Sequence, residues 1–171
     1  MYRDSVELDE VKQPIEIKSL RLVEDSAGPG RYRGGPQGEI VFGPKRDPMT
    51  IAVVCDGQIN PPRGVRGGGP GAAAGSWRIS ANGNETKLPN LFLETFHPGE
   101  YVRGTDNGGG GYGDPLERDP ERVAEGFREG WISRERVAAY GVVLKTGDDG
   151  IFVDTAATAK LKASMGKTHG V

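Results

Sequence analysis

Cysteine is nearly absent. The 171 residues contain one, Cys55, which permits no internal disulfide and no cysteine-rich zinc cage. There are two histidines: His97 stands before Pro98-Gly99 and reads as a turn residue, and His169 lies in the tail. Neither has carboxylates at ligand spacing, so no self-contained metal site is expected. No Ser, His and Asp arrangement suited to nucleophilic hydrolysis stands out. No apolar run approaches the roughly 20 residues that span a bilayer. The N-terminal Met1-Tyr-Arg-Asp-Ser5, followed by the acidic stretch Glu7 to Glu10, lacks the apolar core of a signal peptide. An excess of one charge is missing too: 22 Lys and Arg face 24 Asp and Glu. That balance argues against nucleic acid or an anionic membrane as the main partner. Together these absences predict a cytoplasmic protein.

What the chain does have is glycine and proline, 28 and 12 residues respectively. Apolar residues make up 35% and mean hydropathy is −0.51. Such a composition approaches that of disordered chains. The net charge of −2 is nevertheless small, and the apolar residues cluster in short β-like runs such as Ile51 to Val54. A self-repelling disordered chain has neither property. The expectation is a folded, turn-rich chain with a thin core that leans on a partner for burial.

Residues Ile15 to Val23 carry an imperfect period of two with both faces partly apolar, a strand pattern. A turn cluster, Gly28 to Pro36, follows. Gly38 to Phe42 reads as a strand that Gly43-Pro44 and Asp47-Pro48 should break, because proline lacks the ladder donor. Met49 to Cys55 is β-branched and apolar, with Cys55 expected as a buried core thiol. Asp56 to Gly75 is a long Gly/Pro-rich loop, of a size that tends to be functional or partner-bound. Ser76 to Ser80 and Glu85 to Leu88 flank Asn82-Gly83, whose positive φ angles suit a tight hairpin turn. Leu91 to Phe96 and Glu100 to Val102 are further strands, and a glycine run, Gly108 to Gly113, ends the β pattern.

The character then changes. Asp119 is a good N-cap and Pro120 suits the first helical position; Val123, Ala124 and Phe127 recur at helical spacing. Ser133 caps a second short helix that Gly141 closes. Val142 to Leu144 and Ile151 to Val153 read as two short strands, and Asp154 caps a last helix, Thr155 to Met165. The tail from Gly166 to Val171 is expected to fray. The fold class is α+β: a mainly antiparallel β part, a sandwich or partial barrel, over residues 1–107, and a Gly-rich loop with a small helical part of the same domain over 108–171.

Gly108 to Gly113 formally matches G-x-G-x-x-G. Asp114-Pro115 follows it directly and the preceding chain looks antiparallel, so a dinucleotide fingerprint is not supported. Gly166-Lys-Thr168 resembles the end of a P-loop, but Leu161 stands where that motif needs glycine. Two physical reasons for the glycine run remain open. Glycine backbone can allow chains to cross closely at a domain or subunit contact, or it can line a cavity for substrate or phosphate. Gly108, Gly109, Gly110, Gly111, Tyr112, Gly113 and Asp114 are the cavity candidates. Arg31, Arg33, Arg63 and Arg66 sit on Gly/Pro-rich loops, where arginines can clamp a carboxylate or phosphate or remain solvated or paired with a partner; Arg31 and Arg33 join the candidates. Catalytic groups are not identified and no metal ligands are assigned.

Several motifs in one order resemble a known family. Gly30-Arg-Tyr-Arg-Gly-Gly35, then Asp56-Gly57, the loop through Pro61-Pro62, Gly64, Gly67-Gly68 and Pro70-Gly71, and Gly108-Gly-Gly-Gly-Tyr-Gly-Asp-Pro-Leu-Glu-Arg-Asp-Pro120 are similar to the C-terminal part of hydantoinase B/oxoprolinase proteins. Gly130-Trp-Ile-Ser133, Tyr140-Gly-Val-Val143 and Val153-Asp154-Thr155-Ala156 continue the match, so it runs over roughly residues 14–160. The resemblance implies ATP-dependent chemistry in a heteromeric enzyme. The family opens cyclic amides or carboxylates ketones after phosphorylation of a carbonyl-derived oxygen. It implies ATP and Mg2+ bound mainly by partner subunits, a possible divalent metal in a partner, and no biotin. The implied partners are a larger hydantoinase B-like subunit and a hydantoinase A-like subunit. The chain starts at its own Met1 without the family's long N-terminal portion. That leaves either a fragment or a split gene, and the expectation is a separate small subunit, as in acetophenone carboxylase, with a hydantoinase or 5-oxoprolinase type of ring opening, or a purely structural subunit, as the alternatives.

Overall fold

A computed structural model describes residues 5–148 and 150–166. His169, and the expected tail from residue 167 on, lie outside the described residues. Among the described residues the fold is mixed α+β with mostly antiparallel strand pairing and no closed barrel. Its contacts divide it into two compact units that interleave along the sequence.

The first unit comprises Met1–Leu22, Gly38–Pro61 and Ala73–Asn107. Helix α1 (Val6–Lys12) opens it, capped by Ser5. The strands are β1 (Ile15–Val23), β2 (Gln37–Pro44), β3 (Met49–Val54), β4 (Gly75–Ile79), β5 (Glu85–Lys87), β6 (Leu91–Phe96) and β7 (Tyr101–Thr105). Five of them form a sheet in the order β1-β2-β7-β4-β5, and β3 pairs with β6 in a separate two-stranded sheet. Leu88, Phe92, Phe96 and Val102 are buried together, with Phe42, Ile51 and Val53 packed against them. That core draws on both sheets, as the alternation of β3 and β6 requires: Ile51 and Val53 are partly covered while Ala52 and Val54 face out.

Three local expectations change here. Strand β2 runs on through Gly43 to Pro44; proline is tolerated because it is the last residue, where a ladder donor is not needed. In the β4–β5 hairpin only Gly83 takes a positive φ, +85°, and Asn82 does not. The turn is closed by the Gly83 amide donating to the Ser80 carbonyl at 2.8 Å, while Asn82 Oδ1 accepts from the Ser80 hydroxyl and the Asn84 amide. Asn82 thus works through its side chain, in an Asx-type turn. Cys55 is only half-buried, because it lies one residue past the end of β3.

The second unit comprises Val23–Gln37, Pro62–Ala72 and Gly108–Val171. After the 3-10 turn Pro115–Glu117 come α2 (Pro120–Arg128), α3 (Arg134–Ala139), the hairpin β8 (Leu144–Gly147) and β9 (Gly150–Val153), and α4 (Thr155–Gly166). Asp119 and Ser133 cap α2 and α3 as the sequence predicts. Val123, Ile132, Val137, Tyr140 and Val142 form the core, with Phe127, Trp131, Leu144 and Val153 against it. The β8 strand starts two residues later than the apolar run suggests. Val142 is 2% exposed and belongs to the helical core, and the Val143 amide donates to Thr158 Oγ1 at 3.0 Å on α4.

Asp25 ties the start of this unit to its helices. It adopts φ +57°, its Oδ1 accepts from the Ser133 amide at 2.9 Å, and its carbonyl accepts from the Arg136 guanidinium at 2.9 Å.

Candidate functional site

The glycine run does not stand free. Gly108, Gly109, Gly111 and Gly113 donate their amides to the carbonyls of Ala72, Gly35, Gly69 and Val65, at 2.8–2.9 Å. Tyr112 and Tyr32 exchange both backbone bonds, at 2.9 and 3.0 Å. The Gly28 amide donates to the Gly109 carbonyl at 2.8 Å, and Gly69 to Pro29 at 2.7 Å. Three Gly/Pro-rich segments are therefore laced to one another through backbone groups, the accounting that enclosed peptide groups require.

Side-chain-free residues are what let them approach. A Cβ on Gly34 would lie 1.9 Å from the Gly109 carbonyl oxygen, and one on Gly111 1.9 Å from that of Pro29. Close crossing, one of the two reasons open from the sequence, is what this backbone does. Within the run the amides of Gly108, Gly109, Gly111, Tyr112 and Gly113 are engaged within the chain. Asp114 caps the following turn, accepting from the Leu116 amide at 2.8 Å. Tyr112 is 42% exposed and meets Tyr32 with ring centroids 6.2 Å apart.

The lacing also aims side chains. The antiparallel bridge Tyr32↔Tyr112 fixes an extended segment in which Arg31 and Arg33, two apart, project to the same side. On that side lies a cavity of about 560 Å³, lined by Arg31, Arg33, Arg118 and Arg122 with Tyr32, Glu117 and Asp119. Of the residues proposed from the sequence, the structure brings Arg31 and Arg33 to this cavity; the glycines, Tyr112, Asp114, Arg63 and Arg66 do not line it.

Arg118 and Arg122 arrive from the start of the helical part. Arg118 follows the turn capped by Asp114, and its amide donates to the Pro115 carbonyl at 3.1 Å. The Lys162 ammonium on α4 donates to the carbonyls of Leu116 and Arg118, at 2.6 and 3.1 Å, pinning the same turn; burial pushes the Lys162 pKa down. Arg122 sits in the first turn of α2, beyond the cap Asp119, whose Oδ1 accepts from the Glu121 amide at 3.0 Å.

Positive charge exceeds its local compensation. Glu117 faces Arg31 at 3.6 Å, both well exposed. Arg118 Nη1 donates to the Arg31 carbonyl at 3.3 Å. The Arg118 Nε and the Arg33 Nε and Nη1 are enclosed without a hydrogen-bond partner. Their planes lie over aromatic rings instead: Arg33 is 5.3 Å from the Trp131 centroid and Arg118 6.0 Å from that of Tyr140, distances at which the ring quadrupole attracts a cation. Burial lowers the pKa of Arg118; Tyr140 and Asp119 oppose that shift, and the neighbouring charges of Arg33 and Arg122 add to it. Burial likewise raises the pKa of the Tyr140 phenol, against the pull of Arg118 and Arg33. Among the described residues no three His, Cys, Asp or Glu side chains are grouped as cation ligands.

The sequence profile of the hydantoinase B/oxoprolinase family matches residues 1–115. The chain belongs to the hydantoinase B/oxoprolinase family. The caprolactamase β subunit of Pseudomonas jessenii is 33% identical over 93% of this chain and 28% of its own length. Among solved structures, the ATP-dependent caprolactamase from Pseudomonas jessenii superposes with a TM-score of 0.73 at 28% identity, over 93% of this chain and 28% of that one. A nucleotide-free acetone carboxylase, an enzyme of ATP-dependent acetone carboxylation, gives a TM-score of 0.73 at 25% identity, over 96% and 26%. The chain thus spans about a quarter of the length of the relatives it matches.

Proposed function

We propose that this chain corresponds to the C-terminal part of a hydantoinase B-type subunit in a heteromeric, ATP-dependent enzyme that activates a carbonyl group. The observation that carries the reading is the similarity over nearly the whole chain to two enzymes whose names both state ATP dependence, acetone carboxylase and caprolactamase. The first reading for the substrate is a ketone carboxylated with bicarbonate, in the manner of acetophenone carboxylase. Opening of a cyclic amide is the second, and the 33% identity to the caprolactamase β subunit favours it specifically.

ATP supplies the phosphoryl group that turns a carbonyl-derived oxygen into a better leaving group. This chain's part in holding it is limited. The amides of Gly108, Gly109, Gly111, Tyr112 and Gly113 are engaged in the lacing, and no three-ligand cation group is present among the described residues. ATP and Mg2+ are therefore assigned mainly to a larger hydantoinase B-like polypeptide and a hydantoinase A-like subunit in the cytoplasm. The chain is not active alone. It completes the fold of the larger partner and presents the arginine-lined cavity to it.

The test is reconstitution. The chain is combined with its hydantoinase B-like and hydantoinase A-like partners, and ADP release is followed with acetophenone and bicarbonate in one arm and a lactam in the other. Stimulation by the ketone pair alone supports the first reading, and stimulation by the lactam alone supports the second. Response to neither refutes the carbonyl-activating function. Tyr112→Phe and Asp114→Asn in the same assay ask whether the glycine run does more than build structure. Full activity of both, with the complex intact, assigns it a purely structural role.

A further inference from the structure

Four guanidinium groups line one cavity, and an arginine cannot shed its charge when it is buried. Two carboxylates share the lining with the four arginines: Glu117 faces Arg31, and Asp119, which caps α2 through one oxygen, offsets part of the charge of Arg118. Among the described residues no carboxylate forms an ion pair with Arg33, Arg118 or Arg122. The Arg33 Nε and Nη1 and the Arg118 Nε are enclosed behind the cavity wall and lack an acceptor; a buried charged donor left unsatisfied is costly, so both guanidinium groups carry charge that the protein does not fully compensate. Trp131 and Tyr140 attract the faces of the two planes, yet a ring face leaves in-plane N–H donors unmet. Arg33 and Arg122 also depress the Arg118 pKa by repulsion. An arrangement with these properties becomes favourable when an anion sits among the arginines, since guanidinium bonds to carboxylate or phosphate are charge-assisted.

The volume narrows the class. About 560 Å³ lies within the range of small-molecule sites, roughly 300–1,000 Å³, and is generous for a bare inorganic ion. Tyr32 completes the lining between Arg31 and Arg33.

We propose that this cavity binds a small organic molecule through a phosphoryl or carboxylate group, with Arg33 and Arg118 as the central binding residues and Arg31 and Arg122 beside them. The glycines of the lacing do not line the site, although the lacing positions Arg31 and Arg33. Anion binding at this site goes beyond the carbonyl-activating reading, which can fail without affecting it.

The experiment is calorimetric titration of the full chain with three probes: inorganic phosphate, phenyl phosphate and phenylacetate. The expected result is saturable binding, tighter for phenyl phosphate than for inorganic phosphate. Preference for phenyl phosphate over phenylacetate assigns a phosphoryl ligand, and the reverse a carboxylate. Arg33→Met and Arg118→Met are each expected to weaken binding at least about tenfold, the equivalent of about 1.4 kcal/mol. Arg46→Met, at an exposed position outside the cavity, leaves it unchanged. Should the methionine variants unfold, Arg33→Lys and Arg118→Lys keep the charge but lose the planar fork, and several-fold weaker binding is expected of both. Absence of saturable binding by all three probes overturns the proposal and leaves the cavity to an acidic side chain of another polypeptide. Binding that is indifferent to both lysine variants overturns it equally.

Discussion

Gly34 and Gly35 are neighbours with opposite environments, and the pair isolates what the glycine lacing contributes. A Cβ on Gly34 would sit 1.9 Å from the Gly109 carbonyl oxygen and 2.4 Å from its carbon, whereas one on Gly35 would meet nothing within 4 Å. Neither residue has a positive φ, so backbone conformation does not separate them. To bring the Gly34 contact toward the roughly 3.5 Å of ordinary packing, the crossing must open by more than about 1 Å. Two bonds at 2.8 Å hold it shut, from Gly109 to the Gly35 carbonyl and from Gly28 to the Gly109 carbonyl. Opening of that size takes both beyond hydrogen-bonding distance. Each lost pair costs about 1–3 kcal/mol, and residual overpacking adds about 1–3 kcal/mol. Gly34→Ala is therefore expected to cost about 3–9 kcal/mol, a large part of the roughly 5–15 kcal/mol of a typical protein. At about 2–4 °C per kcal/mol for a chain of this size, Tm falls by about 6 °C or more. Gly35→Ala is expected to be neutral or to stabilise by about 0.4–1 kcal/mol, through the unfolded state. Thermal and urea unfolding followed by circular dichroism measure both. A Gly34→Ala variant melting within about 2 °C of the parent would refute the reasoning, as would equal losses in the two variants.

Glu39 is buried at 5% exposure, with Arg21 Nε at 2.7 Å and Arg103 Nη1 at 3.4 Å. The hydrogen bond from Arg21 is the largest cause holding its carboxyl below the ordinary range. A depressed carboxylate pKa stabilises the fold above the unfolded value, about 4.3, and that contribution is lost as pH falls through the folded value. The Tm difference between the parent and Glu39→Gln should accordingly be largest near neutral pH and shrink toward pH 3; a constant difference contradicts the assignment. Asp25→Ala removes the acceptor of the Ser133 amide and places alanine at φ +57°, with an expected loss of about 2–4 kcal/mol in urea unfolding. Asp25→Asn should recover most of that loss, because asparagine tolerates the left-handed region and keeps an acceptor oxygen; equal losses would count against both roles.

Elements whose signal is local were legible. The β-branched run at β3, the apolar alternation of β6, and the Asp119-Pro120 and Ser133 helix starts each state their structure within a few residues. Helix α1 was missed because it buries no residue and so carries no core-facing period. The β8 boundary was displaced because Val142 is apolar for the sake of the helical core, a tertiary demand that looks like a strand in sequence. At the cavity, Arg31 and Arg33 were singled out by their loops. Arg118 and Arg122 flank a helix start and carry no local signal of a site, although Arg118 lies inside the family motif from Gly108 to Pro120. What joins them to Arg31 and Arg33 is the Tyr32↔Tyr112 bridge, a pairing across many residues that spacing does not reveal. The glycine lacing has the same character, since each of its residues has its reason on another segment.

The central claim is that this chain is one part of an ATP-dependent carbonyl-activating enzyme. The most direct measurement is ADP release by the hydantoinase B-like and hydantoinase A-like partners, with and without the chain, in the presence of a ketone with bicarbonate or of a lactam. The account predicts that the chain co-purifies with them and that carbonyl-stimulated ADP release appears only when it is present. A chain that captures no such partner, or ADP release that is the same in its absence, would contradict it.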